Sequence, residues 1–414
     1  MFQQENQDRG YILEVDLEYP DHLHDAHNSL PLAPEHVTID ISYLSGHARH
    51  YASKMLKDNY QSKKLIGHFE PRKNYVVHYV NLKTYLRLGL KLTKIHRVLS
   101  FHQKPFLASY VHETARRRAQ SLTKFAKDVQ KLMNNAVYGK TIQNNRKYMA
   151  VHFCRTPSHA KKRISHPFTK SFKIINNNLV GVFSGLAEIK MDKCYAVGFT
   201  ILERAKDWVF SQYYDYIQPQ LGGYKNCTVL MSDTDSLLLA FQSNNRISSL
   251  HRLSYVMDFS NYPKNHPLFD EKNKLVMGYW KDEMAGSRSI IEVAAVQSKT
   301  YSFLHTELEH LDKVETYKRA KGVNGSSKKT LSYYDYKKCV TEPLAQVRAN
   351  ITSIKSANYR LFTHRQKNKL CFRNFDDKRH ILPCGIHSLA YGHYKLKNNP
   401  SVVECELCGD AKNK

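Results

Sequence analysis

Several features that define common classes of protein are scarce in this sequence of 414 residues. Its eight cysteines are widely scattered, which excludes the dense disulfide framework of a small secreted protein. Its longest apolar runs, such as 229–231 and 237–241, are too short to cross a bilayer. The first residues lack the basic and then apolar pattern of a secretory signal. We therefore expect an intracellular protein that has no membrane partner.

Acidic residues are also scarce, since 37 Asp and Glu face 63 Lys and Arg and leave a net charge of +26. The first 40 residues carry a net charge of −8, so the remaining 374 carry +34. Residues 111–150 alone hold nine basic side chains and two acidic ones. A basic excess of this size favours binding to a polyanion, of which nucleic acid is the commonest. The content of 42% hydrophobic and 11% aromatic residues predicts a globular protein rather than a disordered one.

Recognisable metal-ligand patterns are scarce as well. Cys405 and Cys408 form a C-x2-C pair, but the nearest further candidates, Cys384, His387 and His393, lie at no standard zinc spacing. Two alternatives stay open for the pair, namely a zinc site and ordinary reduced thiols. The 22 histidines show no HExxH or similar pattern. We interpret the histidines as surface residues or residues that face nucleic acid.

Local composition and periodicity predict an α+β fold. Residues 75–82 are rich in β-branched and aromatic side chains, which predicts a strand. Residues 111–135 contain neither glycine nor proline and have helical periodicity, which predicts a long helix that ends at Gly139. Further expectations are a loop region with short strands at 155–189, a second long helix at 196–217, strands at 275–303 and a helix-prone, separate lobe after residue 304.

The sharpest local signal is SDTDS at residues 232–236, between two apolar segments that predict the strands of a hairpin. Asp233 and Asp235 are two residues apart, so on a strand they share a face, and a hairpin tip exposes them. Nothing nearby in the sequence neutralises them, which makes a divalent cation their expected partner. In nucleotidyl transfer such acids hold two Mg²⁺ ions about 4 Å apart. The alternative is a solvated acidic turn.

The predicted basic helix carries two different stripes. Spacings of three and four residues align polar side chains on one face, namely Lys124, Lys127, Lys131, Asn135 and Tyr138. The opposite stripe is apolar and suited to packing, and consists of Phe125, Val129, Leu132 and Ala136. A face with cations, an amide and an aromatic ring suits a triphosphate, a base and a sugar. The alternative is a solvated lysine face.

The order of these motifs resembles that of family-B DNA polymerases. KLMNNAVYG at 131–139, followed 94 residues later by DTDS, is similar to motifs B and C of that family, with Ala136 where serine is usual. QSKTY at 297–301 is similar to the K-x-Y motif that grips the primer terminus, and KRAKGV at 318–323 to the KAKG-type segment. The resemblance is strongest to the protein-primed branch, particularly polymerases of large DNA transposons and their viral relatives. EVDLEYP at 14–20 and PLAPE at 31–35 are typical of that group.

The resemblance implies a role for each matching residue. Asp235 would be the principal catalytic metal ligand, with Asp233 assisting, in a two-metal Mg²⁺ site. Residues of the basic helix would bind the incoming nucleotide: Lys131 at the triphosphate, with Asn135, Tyr138 and Lys127 along the pocket. Lys299, Tyr301 and Lys321 would hold the primer backbone.

The family's motif A, D-x2-S-L-Y-P, supplies another metal-binding aspartate, and we find no match for it. Only two residues separate Asp16 from Tyr19 and Pro20, where the motif has four, so we do not assign Asp16 as that acid. The resemblance therefore implies a C-terminal part of a polymerase that begins after motif A and the proofreading exonuclease. Such a chain alone is expected to extend a primer poorly or not at all.

The expected architecture is a partial right hand with an antiparallel palm sheet, helical fingers and a thumb. Residues 1–110 would form palm strands and an insertion for a terminal protein, 111–225 fingers helices with a second insertion, 226–304 the rest of the palm, and 305–414 the thumb. The expected partners are a DNA primer-template, deoxynucleoside triphosphates and a terminal priming protein, in the nucleus. The alternative is a non-catalytic nucleic-acid-binding remnant of a mobile element. A Mg²⁺-dependent nuclease would explain the acids and the charge, but not the motifs at 131–139 and 299–301.

Overall fold

The computed structural model describes residues 8–56, 60–274, 276–308, 310–357 and 360–397. Its strands are β1 (Arg9–Glu18), β2 (Glu35–Asp40), β3 (Gln61–Ile66), β4 (Arg72–His78), β5 (Lys91–His102), β6 (Met149–Cys154), β7 (Thr169–Asn176), β8 (Leu179–Gly185), β9 (Cys227–Asp233), β10 (Ser236–Phe241), β11 (Arg288–Gln297), β12 (Thr300–Glu307), β13 (His310–Ala320), β14 (Gln346–Ala357), β15 (Arg360–Arg373), β16 (His380–Ile381) and β17 (Ser388–Leu389). Its α-helices are α1 (His24–His27), α2 (Gly46–Met55), α3 (Tyr79–Arg87), α4 (Ala108–Gln120), α5 (Lys124–Thr141), α6 (Pro157–Ile164), α7 (Tyr195–Ser211), α8 (Gln218–Gln220), α9 (Arg246–His251), α10 (Gly325–Lys329) and α11 (Tyr333–Thr341). The fold is mixed α+β, as predicted.

The chain divides into two compact units. Unit 1 comprises the described residues of Met1–Gln103, Glu203–Ile351 and Gln366–Lys414, and unit 2 those of Lys104–Leu202 and Thr352–Arg365. The expected palm segments 1–110 and 226–304 therefore lie almost wholly in unit 1, and most of the expected fingers segment lies in unit 2. The assignments as palm, fingers and thumb stay predictions.

The largest core of unit 1 is built on a three-stranded antiparallel sheet in the order β4-β1-β5. Alternation along β1 directs Val15 and Leu17 into the core. A π-helical turn, Gln212–Ile217, follows α7 and adds its buried side chains to this core. Cys227 and Val229 of β9 belong to the same core, which anchors the β9-β10 hairpin on it.

Unit 1 contains two further cores. In one, the antiparallel sheet β11-β12-β13 packs with α11, and Ala294, Tyr336 and Phe372 are among its buried residues. A capping box between Ser332 and Asp335 fixes the start of α11. In the other, α2 and the β2-β3 pair are clustered with Phe375 and Tyr391, which come from the far end of the chain.

Unit 2 contains a helical pair, a small sheet with a helix on it, the first part of α7 and the adjoining ends of β14 and β15. Helix α4 contacts α5, where the Tyr110 hydroxyl donates to the carbonyl of Met133 at 3.3 Å. Beyond them, strands β6, β8 and β7 form an antiparallel sheet in that order. Helix α6 packs against it through Ala160, which is buried with Cys154 and Val182. The short strands predicted within 155–189 are confirmed, and they form a folded module.

Two predicted elements have different bounds in the structure. The strand predicted at 75–82 ends at His78, and the residues after it begin α3. The helix is favoured there because Asn81 is buried and its amide donates to Glu203 Oε2 at 3.1 Å. The helix predicted through 111–139 is two helices, because α4 ends at Gln120 and Thr123 caps the start of α5. Gly139 does not end α5, which continues to Thr141.

The prediction of a helix-prone, separate lobe after residue 304 was wrong. The described residues of that segment are mostly strands, with helices only at α10, α11 and one short 3-10 turn. Their buried residues are shared with β11 and with α2, so the segment has no core of its own. The strands expected from 275 begin only at Arg288, since residues 276–287 form turns, and residue 275 lies outside the described residues.

Candidate functional site

Two tight turns of unit 1 meet at an ion pair, and this is the candidate site. One turn joins β9 to β10 at Thr234 and Asp235, and the other joins β11 to β12 at Ser298 and Lys299. Lys299 Nζ lies 2.7 Å from an oxygen of Asp233, the last residue of β9. The structure thus brings Asp233 of the DTDS motif into contact with Lys299 of the K-x-Y motif.

Each of these turns contains a residue with a left-handed backbone that glycine usually supplies. Thr234 has φ 62° and Lys299 has φ 63°. Such a conformation costs on the order of 1–3 kcal/mol in a residue with a Cβ, and β-branched threonine is among the least suited to it. Backbone strain of this kind clusters at functional sites. A positive φ is also common in two-residue hairpin turns, so this strain accompanies the site and does not by itself define it.

The two aspartates differ in position, and this corrects one prediction. Asp233 is paired in the hairpin with Ser236, whereas Asp235 lies in the turn itself, so the two do not share a strand face. Asp235 is exposed, and Asp233 is half-buried. Within the turn, the Thr234 hydroxyl donates to Asp233 Oδ1 at 3.2 Å and the Ser236 hydroxyl to the Asp233 carbonyl at 3.1 Å.

The expectation that nothing neutralises these acids was wrong for Asp233. The hydrogen bond from Lys299 lowers the pKa of Asp233, and the charge of Arg319 lowers it further. Lys299 is distant in sequence, so only the tertiary structure places its ammonium group beside the carboxylate. Both side chains are partly exposed, so the pair itself contributes at most about 1 kcal/mol to stability.

Tyr301 continues the site along β12, where it lies opposite Arg319 of β13. Burial raises the pKa of Tyr301, and the neighbouring Tyr317 contributes to that rise. Arg319 Nε donates to the Tyr317 hydroxyl at 2.7 Å, and the Arg319 guanidinium lies 5.3 Å from the Tyr317 ring centre. Lys321, the third predicted primer contact, is exposed directly after the end of β13.

Tyr317 and Arg319 are site residues that the sequence reasoning missed. They alternate along β13, and Phe303 of β12 stacks on Tyr317 with ring centres 4.7 Å apart. The signal that could have found them is the period-two pattern in YKRA at 317–320, which overlaps the recognised KAKG-type segment. Their position beside Tyr301 gives the site a planar cation and stacked aromatic rings.

The predicted nucleotide-binding residues lie together on α5, in unit 2. Lys127, Lys131 and Asn135 are exposed, and Tyr138 is half-buried. The polar stripe is exposed at every member except Tyr138. The opposite stripe was expected to pack, and this was wrong for Phe125, which is 79% exposed, for Leu132, which is 66% exposed, and for Ala136. Val129 is half-buried, on a side of α5 that consists of residues 126, 129, 130, 134, 137, 138 and 141.

Hydrogen bonds from the neighbouring strands of its own sheet hold the side chain of Asp16. Its carboxylate accepts the Asn74 backbone N–H at 2.8 Å and lies 2.7 Å from His96 Nε2. The hydrogen bond from Asn74 lowers the pKa of Asp16 most, and the one with His96 lowers it further. The interactions give Asp16 a structural role in joining β1 to its neighbours, and they agree with leaving it out of the catalytic set.

The described residues contain no cluster of three or more His, Cys, Asp or Glu side chains that could hold a metal ion. Cys405 and Cys408 lie outside the described residues, so their zinc alternative is untested. Cys384 Sγ lies 3.6 Å from His387 Nδ1. No described helix is both long and apolar enough to span a membrane.

The interpretation of the histidines as surface residues was wrong for a group in unit 1. Burial of the imidazole lowers the pKa of His27, His78 and His393 to about 4 each. His27 Nδ1 and the Tyr19 hydroxyl share one hydrogen bond of 2.8 Å. These rings are neutral parts of the core at pH 7.

Comparison with known proteins found no match to this chain among protein-family models, curated proteins or solved structures.

Proposed function

We propose that this chain carries the motif B helix, the motif C hairpin and the primer-binding strand of a DNA-directed DNA polymerase. The observation that supports this most is the 2.7 Å contact between Asp233 and Lys299, at two strained turns that separate sequence motifs specify. An unrelated nuclease would need the acids, but it would not need Lys299 and Tyr301 on the adjoining strand. The overall basic charge is the second support, because DNA is a polyanion.

The chemistry expected at the turns is nucleotidyl transfer. Asp233 and Asp235 supply hard oxygen ligands, and Mg²⁺ in such enzymes is bound by one or two carboxylates together with substrate phosphates. When bound, Mg²⁺ would activate the primer 3′-OH and stabilise the leaving pyrophosphate. In our proposal Lys299 releases Asp233 and pairs with a primer phosphate when DNA enters, while Tyr301 and Arg319 position the primer end.

The residues of α5 would bind the other substrate. Lys131 and Lys127 present exposed ammonium groups that can neutralise a triphosphate, and Asn135 offers an amide to the sugar or base. Binding of the triphosphate by Lys131, Asn135, Tyr138 and Lys127 is a separate claim from metal binding at the turns. A terminal priming protein and a nuclear location also stay predictions.

The test is primer extension with Mg²⁺ and all four nucleotides on a primed template, with Asp235→Asn as the active-site variant. Because the chain alone is expected to extend a primer poorly, each variant is also made in a version that carries an added motif A segment, and the comparison is made in that version. We expect Asp235→Asn to abolish any extension, since the amide cannot replace a charged metal ligand. Asp270→Asn is the matched control, because Asp270 is also exposed in unit 1 and should be dispensable. Extension that survives Asp235→Asn, or is lost equally in both variants, would contradict the assignment.

A non-catalytic nucleic-acid-binding protein is the second candidate. It is favoured by the neutralisation of Asp233 by Lys299 and by the lack of a third acid near them among the described residues. This candidate predicts DNA binding without extension. In both cases affinity for DNA should fall steeply with salt, by about a thousandfold between 50 and 200 mM if roughly six phosphates are contacted. A flat salt profile would exclude both.

A further inference from the structure

The loop of the β16-β17 hairpin brings a thiol and an imidazole together. Cys384 Sγ lies 3.6 Å from His387 Nδ1, and the His387 backbone N–H donates to the same sulfur at 3.3 Å. The Leu382 backbone N–H closes the loop at its base, where it donates to the His387 carbonyl at 2.9 Å. Both Cys384 and His387 are half-buried. A sulfur and an imidazole held in one tight turn are a pair of ligands that zinc commonly uses.

The distance between these two atoms fits ligands of a single zinc ion. Zinc bonds to sulfur at about 2.3 Å and to nitrogen at about 2.0–2.1 Å, with tetrahedral angles between the bonds. Such a geometry places the sulfur and the nitrogen about 3.6 Å apart. The hydrogen bond from the backbone N–H to Cys384 Sγ also suits a metal ligand, because an ionised sulfur is the stronger acceptor.

The sequence after this hairpin supplies two more thiols at a suitable spacing. Seventeen residues, 388–404, separate His387 from Cys405, and two separate Cys405 from Cys408. The order is therefore C-x2-H-x17-C-x2-C, which is the spacing of a four-ligand zinc site with histidine in place of the second cysteine. The expectation that Cys384 and His387 lie at no standard zinc spacing is thus wrong once histidine is accepted as the second ligand.

Contacts of the described chain show that these thiols can reach the hairpin. Lys397, the last described residue, pairs with Asp21 at 2.7 Å. Asn28 donates its amide to the Ser388 carbonyl at 3.3 Å, next to the hairpin loop. The helical residues between these two contacts span roughly 10–14 Å. The eight residue steps from Lys397 to Cys405 span up to roughly 26 Å, so the linker is long enough.

We propose that Cys384, His387, Cys405 and Cys408 hold one structural Zn²⁺ ion. Four protein ligands complete the tetrahedron and leave no position for water or substrate, so the ion has a structural role. Each strand of the β16-β17 hairpin has only two residues, and a hairpin of that size is marginal by itself. The ion ties this hairpin to the segment that carries the second pair of cysteines. The inference uses no residue of the candidate polymerase site and is independent of it.

The first test uses the unmodified full chain. Reduced protein supplied with zinc and then desalted should retain one Zn²⁺ per chain, measured by elemental mass spectrometry. Alkylation resolved by peptide should then show Cys384, Cys405 and Cys408 reacting at least about tenfold more slowly than after removal of zinc by a chelator, because a metal-bound thiolate is a blocked nucleophile. Cys194, which is exposed in unit 2, is the internal control and should react equally in both states.

Variants test the ligand set one position at a time. Cys405→Ser and His387→Ala should each lose the retained zinc and the protection of the remaining ligand cysteines. Cys194→Ser and His36→Ala, at exposed positions elsewhere, are the matched controls and should keep both. If a ligand variant does not fold, Co²⁺ in the unmodified chain decides, since a tetrahedral site with three thiolates gives strong sulfur-to-cobalt charge-transfer absorption.

Three outcomes would overturn the proposal. A chain that retains no zinc under reducing conditions has no such site. Retained zinc with no change in the alkylation of Cys384, Cys405 and Cys408 would assign the metal to other side chains. Protection of Cys405 and Cys408 without protection of Cys384 would remove the hairpin loop from the site.

Discussion

Unit 1 and unit 2 differ in how much of their apolar and charged surface they bury. Unit 1 buries large side chains and even charged ones, and Glu203 is an example with 2% exposure. In unit 2, the 18 residues of α5 include none that is buried, and phenylalanines are exposed on both α5 and the small sheet. The contrast indicates that unit 1 is stabilised by its own cores, whereas much of the surface of unit 2 is available for binding.

The largest expected effect concerns a buried charge in unit 1. Glu203 Oε2 accepts the His78 backbone N–H and the Asn81 amide, each at 3.1 Å, and its other oxygen pairs with Lys206. Glu203→Ala removes the acceptor and leaves buried donors unpaired, so we expect a loss of about 3–5 kcal/mol in the free energy of unfolding. Chemical denaturation would measure it.

Unit 2 supplies the control for that prediction. Glu113→Ala breaks ion pairs of Glu113 with Arg116 and Arg117 on the exposed face of α4. Because these pairs are in solvent, the loss should be small beside that of Glu203→Ala. Equal losses of unfolding free energy in the two variants would show that the units do not differ in how much their charged side chains contribute to stability.

Acid should destabilise unit 1 selectively. The folded-state pKa values near 4 of His27, His78 and His393 lie below the ordinary value of 6.5, so the unfolded chain binds more protons between these values. Stability therefore falls as the pH falls through this window, by about 2 kcal/mol in total between pH 7.5 and pH 6. Hydrogen exchange resolved by peptide should show faster exchange in unit 1 at pH 6, after correction for the intrinsic rate.

The described part of unit 2 contains no buried histidine, and its peptides should respond less to acid. A uniform response across both units would contradict the contrast.

A smaller effect is expected on α5, and on binding rather than folding. Lys131→Ala should weaken nucleotide binding about tenfold, which corresponds to about 1.4 kcal/mol, and should leave the melting temperature unchanged because Lys131 is exposed. Isothermal calorimetry with a nucleotide triphosphate would measure the affinity. Lys140→Ala, at an exposed position near the end of the same helix, is the control. Loss of cooperative melting in Lys131→Ala would give this lysine a structural role.

The smallest expected effect tests whether Leu132 is exposed, as in the structure, or packed, as its periodicity predicted. Leu132→Gln should change the free energy of unfolding by less than about 0.5 kcal/mol, because this side chain is mostly in solvent. If Leu132 packed as its periodicity predicted, removing its buried apolar side chain would cost about 2–5 kcal/mol. Thermal or chemical denaturation decides between the two.

Several elements could be predicted because their signal is local. Apolar segments on either side of SDTDS predicted a hairpin, and β9 and β10 form it with the acids at its end. The long helix at 196–217 was also predicted, and it occurs as α7 with its π-helical continuation. The break between α4 and α5 was missed, although Thr123 is a typical N-cap residue.

By itself, the sequence determined the composition of the candidate site, namely the acids of the β9-β10 turn and the K-x-Y strand. The sequence likewise determined the cations of α5, which lie in the other unit. It also determined the basic excess, because charge depends on composition and not on folding. Only the tertiary structure decided that Lys299 lies against Asp233, that Arg319 joins them and that Phe125 and Leu132 remain exposed. The physical reason is that periodicity states which residues share a face, whereas contacts between distant segments decide which face is covered.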